Sequence, residues 1–205
     1  KLIGDKSLSN RDFSRITDPL QIFGANIKTN NGKLPVLIKG SNFLRPINYI
    51  ENIGSAQCKS AVMLAALKTR GKTKIKAKKS RDHTELLFKN INIPIKISKY
   101  KYYDKIEIDG LYNYDGFEYK VPGDISSASF FIVLTLLSKS SSLTIKNVNI
   151  NSSRTGIIKI LNKMNAKIIF KNKKKYKGEL VADIFVKSQK NIRGINCPKE
   201  LNSSA

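Results

Sequence analysis

Apolar residues fall at helical spacing between Arg11 and Phe23, where Phe13, Ile16, Leu20 and Phe23 share one face. Gly24 follows as a helix stop. The pattern then alternates. Ala25 to Lys28 and Val36 to Ile38 read as two short strands joined across Asn30-Asn31-Gly32, and Asn-Gly is a strong hairpin signal. The same order of helix, strand, turn and strand returns twice. The second copy is a helix from about Asp82 to Asn90, then Ile95 to Ile97 and Lys105 to Ile108. The third is a helix from about Arg154 to Met164, then Lys167 to Phe170 and Leu180 to Val186. The copies lie roughly 70 residues apart, further than ordinary solenoid units.

A strand, helix and strand precede each of the last two copies. Arg45 to Tyr49, Ser55 to Lys68 and Thr73 to Ala77 form one set; Phe117 to Val121, Ser126 to Leu137 and Ser142 to Ile145 form the other. Lys1 to Asp5 also reads as a strand. The full unit is therefore β-α-β-α-β-β, present as two whole copies and the tail of another. The helices Ser55–Lys68 and Ser126–Leu137 are apolar on nearly every side, which predicts burial on all faces. The expected class is α/β (α+β), with repeated units, buried helices and sheets outside.

Composition changes this picture in two ways. The chain has 205 residues, 40% hydrophobic and 26% charged, which suits a folded chain with a real core. Its net charge is +23, which first suggests nucleic acid. The lysines, however, are spread along the whole chain, and the densest run, Lys171 to Lys175, falls where a hairpin turn is expected. Nucleic acid is therefore not the expected partner. A basic surface also suits small anionic substrates. Two cysteines, Cys58 and Cys197, are too few for a disulfide framework, and no run of about 18 apolar residues exists to span a membrane. The chain opens on Lys1 and stops at Asn202-Ser203-Ser204-Ala205 without a closing element, so a fragment of a longer protein is expected.

Four helix starts place small polar residues at a turn: Gly54-Ser55-Ala56-Gln57, Lys79-Ser80-Arg81-Asp82, Gly123-Asp124-Ile125-Ser126 and Ser152-Ser153-Arg154-Thr155. Capping explains Ser and Asp at any one of them. Four such starts, two with an arginine beside them, favour an anionic ligand, because free N–H groups and the positive helix end hold phosphate or carboxylate.

These residues also carry a family resemblance. Gly4-Asp5-Lys6-Ser7-Leu8 with Arg11, Ser55-Ala56-Gln57-Cys58-Lys59-Ser60-Ala61, Ser80-Arg81-Asp82-His83-Thr84-Glu85, Pro122-Gly123-Asp124-Ile125-Ser126-Ser127-Ala128 and Asn151-Ser152-Ser153-Arg154-Thr155-Gly156 resemble, in order, motifs of the EPSP synthases. The run Ser80 to Glu85 matches one subgroup. The resemblance covers nearly the whole chain. It implies a two-domain fold of such units, with residues 1–120 part of the first domain and 121–205 the first unit of the second.

The resemblance further implies transfer of the enolpyruvyl group of phosphoenolpyruvate to the 5-hydroxyl of shikimate 3-phosphate, with no metal and no cofactor. Ser55, Ala56 (through its backbone N–H), Gln57 and Arg81 match positions that bind shikimate 3-phosphate. Gln57 also approaches phosphoenolpyruvate, which Arg11 matches a position to bind. Asp12 follows Arg11 where the family has proline, and is expected to pair with a neighbouring cation. No catalytic acid or base is expected within the chain; the family's aspartate would lie beyond Ala205. The isolated chain is therefore expected to be inactive, and the resemblance implies a cytoplasmic monomer. His83 and Cys58 read as structural, and no contact role falls to Lys59 or Glu85. Two alternatives stay open: the related UDP-N-acetylglucosamine enolpyruvyltransferase, and a basic RNA-binding module on a similar repeat.

Overall fold

Asn31 and Gly32 both adopt positive φ, so the hairpin turn they predict closes in two residues. The computed structural model describes residues 1–198 and 201; the terminal Asn202–Ala205, read above as an open end, lies outside the described residues. Its elements run α1 (Lys6–Ser9), α2 (Ser14–Ile22), β1 (Asn26–Asn30), β2 (Lys33–Lys39), β3 (Asn48–Glu51), α3 (Ala56–Ala66), β4 (Lys72–Lys78), α4 (His83–Asn90), β5 (Ile95–Lys99), β6 (Tyr103–Asp109), α5 (Ile125–Leu137), β7 (Ser142–Asn149), α6 (Gly156–Lys163), β8 (Ile168–Tyr176) and β9 (Glu179–Lys187). They fall into two compact units. One holds residues 1–80 and 91–115; the other holds 81–90 and 116–205, so α4 falls in the second unit although β4 and β5 belong to the first.

In the first unit β1 and β2 pair antiparallel, and a four-stranded sheet runs β3-β4-β6-β5 with β3 parallel to β4. Along β4 the lysines 72, 74, 76 and 78 face solvent while Thr73, Ile75 and Ala77 are buried, the alternation of a sheet wet on one face. Here α3 lies against β4, β6 and α2, burying Cys58, Val62, Met63 and Ala66.

The second unit has a three-stranded sheet, β7-β9-β8, and a core shared by α5, α6 and the sheet. The parallel bridge from Gly123 to Val148 stands where β3 pairs with β4 in the first unit, so both sheets follow one plan.

Several expectations shift. Phe117–Val121 forms no strand among the described residues; Pro122 has no N–H to offer a ladder, and pairing reduces to the single Gly123 bridge. The run Lys171–Lys175 is not a turn but part of β8. It lies on an edge strand, where exposed lysines guard against further pairing, and the turn falls at Lys177-Gly178, both at positive φ. Asn172 (φ +50°) and Asn147 (φ +53°) form bulges that share one acceptor residue: Asp183 takes hydrogen bonds from the Asn147 N–H (2.8 Å) and the Asn172 amide (2.8 Å).

The expected strand Lys1–Asp5 shrinks to a bridge between Leu2 and Val36, because Asp5 turns to cap α1 through the Leu8 N–H (2.7 Å). The strand expected from Arg45 begins at Asn48, beyond Pro46. The helix expected from Arg11 begins at Ser14, where Asp12 accepts the Ser14 N–H at 2.8 Å.

Burial also departs from the pattern. Whereas α3 is largely covered, α5 is covered on one face by β7 and β9, and Phe130 (77%), Phe131, Leu134 and Leu137 (70%) are exposed.

Candidate functional site

The turn between β3 and α3 is organised by a residue the motifs did not single out. Glu51, only 2% exposed, accepts the backbone N–H groups of Ile53 (3.0 Å), Gly54 (2.9 Å) and Ser55 (3.1 Å) with its two carboxylate oxygens. Gly54 sits at φ +78°, which lets the chain turn back over the carboxylate. Ser55 is the N-cap of α3, its hydroxyl accepting the Cys58 N–H at 3.3 Å. The N–H groups of Ala56 and Gln57 precede the first intrahelical acceptor and have no hydrogen-bond partner among the described residues. The positive end of α3 thus keeps two donors open next to the Ser55 side chain. The signal in the sequence was Glu51 three residues ahead of a glycine, which only the folded turn makes legible.

Arg11 and Gln57 come together in the same unit. Both line a hollow of about 280 Å³ with Leu8, Asp12, Phe13, Arg15 and Ile16. Asp12 is spent on the start of α2: its hydrogen bonds with Ser14 hold its carboxyl below the usual range, and Arg15 and Lys33 add to this. Lys59, 1% exposed and engaged in contacts of its own, lies in the first turns of α3. Cys58 is fully buried and Cys197 exposed, and neither is in a disulfide.

Arg81 lies in the second unit, exposed, just ahead of α4. The two residues after it are anchored. Asp82 Oδ1 accepts from Asn151 Nδ2 at 2.8 Å, and His83 Nδ1 lies 2.5 Å from Glu179 Oε1. Glu179 is buried at 5% exposure. Burial pushes its carboxyl up, but hydrogen bonds from His83, Asn149 and Asn151 and the charge of His83 outweigh this and hold it below the usual range.

The second arginine at a helix start, Arg154, bonds to a neighbouring helix start. Arg154 Nη2 donates to Asp124 Oδ1 at 2.6 Å and to Ser126 Oγ at 2.7 Å, while Asp124 caps α5 through the Ser126 N–H. Arg154 therefore ties the start of α6 to that of α5. Arg154 and Asp124 border a cavity of about 430 Å³, whose walls also include His83, Leu87, Phe117, Tyr119 and Glu179. Burial pushes the Tyr119 phenol up, and Glu179 and Tyr176 add to the shift. Among the described residues no cluster of three metal-ligating side chains occurs, and no helix is long and apolar enough to cross a membrane.

Comparison with known proteins gives one consistent result. The 3-phosphoshikimate 1-carboxyvinyltransferase of Ruthia magnifica subsp. Calyptogena magnifica is 42% identical over 206 residues, covering 100% of this chain and 46% of that protein. The enzyme of the same name from Caldicellulosiruptor bescii is also 42% identical, over 97% of this chain and 46% of its own. The solved EPSP synthase of Acinetobacter baumannii superposes with a TM-score of 0.81 at 36% identity, covering 97% of this chain and 44% of that one. The enolpyruvyl transferase NikO of Streptomyces tendae, at 14% identity and a TM-score of 0.63, shares the fold. The chain thus spans about half the length of the curated relatives it matches. With the family model for EPSP synthase matching residues 1–199 as well, the chain belongs to the EPSP synthase (3-phosphoshikimate 1-carboxyvinyltransferase) family.

Proposed function

We propose that this chain is part of an enzyme that moves the enolpyruvyl group of phosphoenolpyruvate to the 5-hydroxyl of shikimate 3-phosphate, and that it carries mainly the shikimate 3-phosphate side. The observation that carries this reading is the start of α3 in a chain of this family: two open backbone donors, at Ala56 and Gln57, beside Ser55 and at the positive end of a helix. Ser55, Ala56, Gln57 and Arg81 bind shikimate 3-phosphate, and Arg11, which shares a hollow with Gln57, binds phosphoenolpyruvate.

In the reaction the 5-hydroxyl gives up its proton as its oxygen bonds to C2 of phosphoenolpyruvate, and C3 gains a proton. The resulting tetrahedral intermediate then loses phosphate from C2 and a proton from C3. The residues of this chain bind and orient the anions; none is assigned as the acid or base, and no cofactor enters. The protein works as a cytoplasmic monomer. Alone, the 205-residue chain releases no phosphate from the substrate pair, because it spans under half of its relatives' length.

Calorimetric titration with shikimate 3-phosphate tests the reading. Saturable binding is expected, weakened about tenfold in Arg81→Ala, as befits loss of one charge-assisted contact. UDP-N-acetylglucosamine and a short oligonucleotide serve as parallel ligands. Binding of either in place of shikimate 3-phosphate overturns the assignment.

A further inference from the structure

The motif that contains Arg81 also contains His83, to which the proposed chemistry gives no task. The fold places a buried polar relay behind it. Glu179, at the first residue of β9, has both carboxylate oxygens engaged: Oε1 with His83 Nδ1 at 2.5 Å and Oε2 with Asn151 Nδ2 at 3.2 Å. The same Asn151 amide nitrogen reaches Asp82 Oδ1 at 2.8 Å. Asn151 Oδ1 accepts from Ser153 N (2.9 Å) and Ser153 Oγ (2.7 Å), and its backbone N–H donates to Asn149 Oδ1 (2.8 Å). An amide flip would turn the oxygen of Asn151 toward two carboxylates, so the side chain has one workable orientation. Asn151 is 7% exposed with each of its polar groups paired, and such pairing holds a buried residue rigidly; His83 is held through Nδ1, its Nε2 being buried without a hydrogen-bond partner among the described residues.

The backbone supports the same anchor. Gly178, which delivers Glu179, has φ +90°, and a Cβ on it would lie 2.9 Å from the Leu86 carbonyl oxygen of α4. The β8–β9 turn therefore presses directly on α4. Two residues in succession, Asp82 and His83, are thus fixed from β9 and from the loop before α6, and Arg81 is the residue before them.

We propose that His83, Glu179 and Asn151 are positioning residues for Arg81: they hold the chain at the start of α4 so that its guanidinium is presented in one place. This rests on the reading of Arg81 as part of the shikimate 3-phosphate site.

Two measurements on the full 205-residue chain test it. The first is the backbone order of Arg81 and Asp82 from nuclear relaxation, without ligand. Wild type is expected near the rigid value of about 0.85, and His83→Ala below about 0.6. His83→Asn, whose amide nitrogen stands close to the site of Nδ1, restores the order, and His83→Leu does not. Unchanged order in His83→Ala overturns the proposal, as does rescue by leucine, which would reduce His83 to packing. Should His83→Ala unfold, Glu179→Gln replaces it with the same expected loss at Arg81. The second measurement is titration with shikimate 3-phosphate. His83→Ala is expected to weaken binding by about as much as Arg81→Ala, with His83→Asn close to wild type. Weakening by Arg81→Ala but not by His83→Ala overturns the positioning role and leaves the substrate reading standing. A wild-type chain that holds Arg81 rigid and never binds shikimate 3-phosphate overturns the substrate reading instead.

Discussion

The helices α3 and α5 have nearly the same sequence character and different surroundings. Each starts at a capped turn and carries apolar residues around most of its circumference. In the first unit α3 meets a four-stranded sheet on one side and α2 on another, and Leu64 is its one large apolar residue left exposed. In the second unit α5 meets β7 and β9, while Phe130, Phe131, Leu134 and Leu137 face outward. An apolar circumference states how much cover a helix can use. It does not state which elements supply the cover. The starts differ too: α3 is wrapped by the buried Glu51, α5 by the exposed Asp124 and its arginine partner.

The largest effects are expected where the two helices agree. Met63 and Ile132 are both fully buried, so Met63→Ala and Ile132→Ala should each cost about 2–5 kcal/mol in urea unfolding. A much smaller cost for Ile132→Ala would mean that the second unit has a looser core than its packing indicates. The helix starts come next. Glu51→Ala leaves three backbone donors without their acceptor and should cost about 2 kcal/mol. Asp124→Ala, at a solvated cap, should cost about 1 kcal/mol. Equal costs would erase the distinction between a buried and a solvated start.

Acid sensitivity is expected to favour the second unit as the weaker one. Glu179 titrates below its usual 4.5, so the unfolded chain takes up the proton more readily than the folded one. The stability it contributes is complete above the unfolded value and fades as pH falls through the lowered folded value. Unfolding midpoints measured from pH 6 downward should therefore drop on acidification, and Glu179→Gln should flatten that drop. A variant with the wild-type slope would remove Glu179 from the explanation. The smallest effects belong to the outer face of α5, where Phe130→Ser and Leu134→Lys should change stability by no more than about 0.5 kcal/mol. A loss above 2 kcal/mol in either would show that this face is covered.

Much of the fold was legible locally. The Asn31-Gly32 turn, the Gly24 stop, the alternation along β4 and, apart from the opening strand of the last copy, the order of the repeat all come from short-range chemistry and appear in the structure. The lysine run at 171–175 misled because its composition resembles a loop, yet an edge strand tolerates that composition. Phe117–Val121 misled in the opposite sense: alternation suggests a strand, and no strand edge receives it.

The candidate site divides along the same line. Ser55 as a cap, the open N–H groups of Ala56 and Gln57, and arginines at helix starts follow from residue types next to one another in the chain. The employment of Arg154 by Asp124, of Asp183 by two bulges and of Glu179 by His83 and Asn151 joins residues 11 to 96 positions apart. By itself the sequence determined the repeat, the caps and the family, because periodicity, turn chemistry and ordered motifs are local. Only the tertiary structure decided which carboxylates are buried, which cations are already paired and which apolar face is left uncovered, because burial and pairing depend on what the rest of the chain brings alongside.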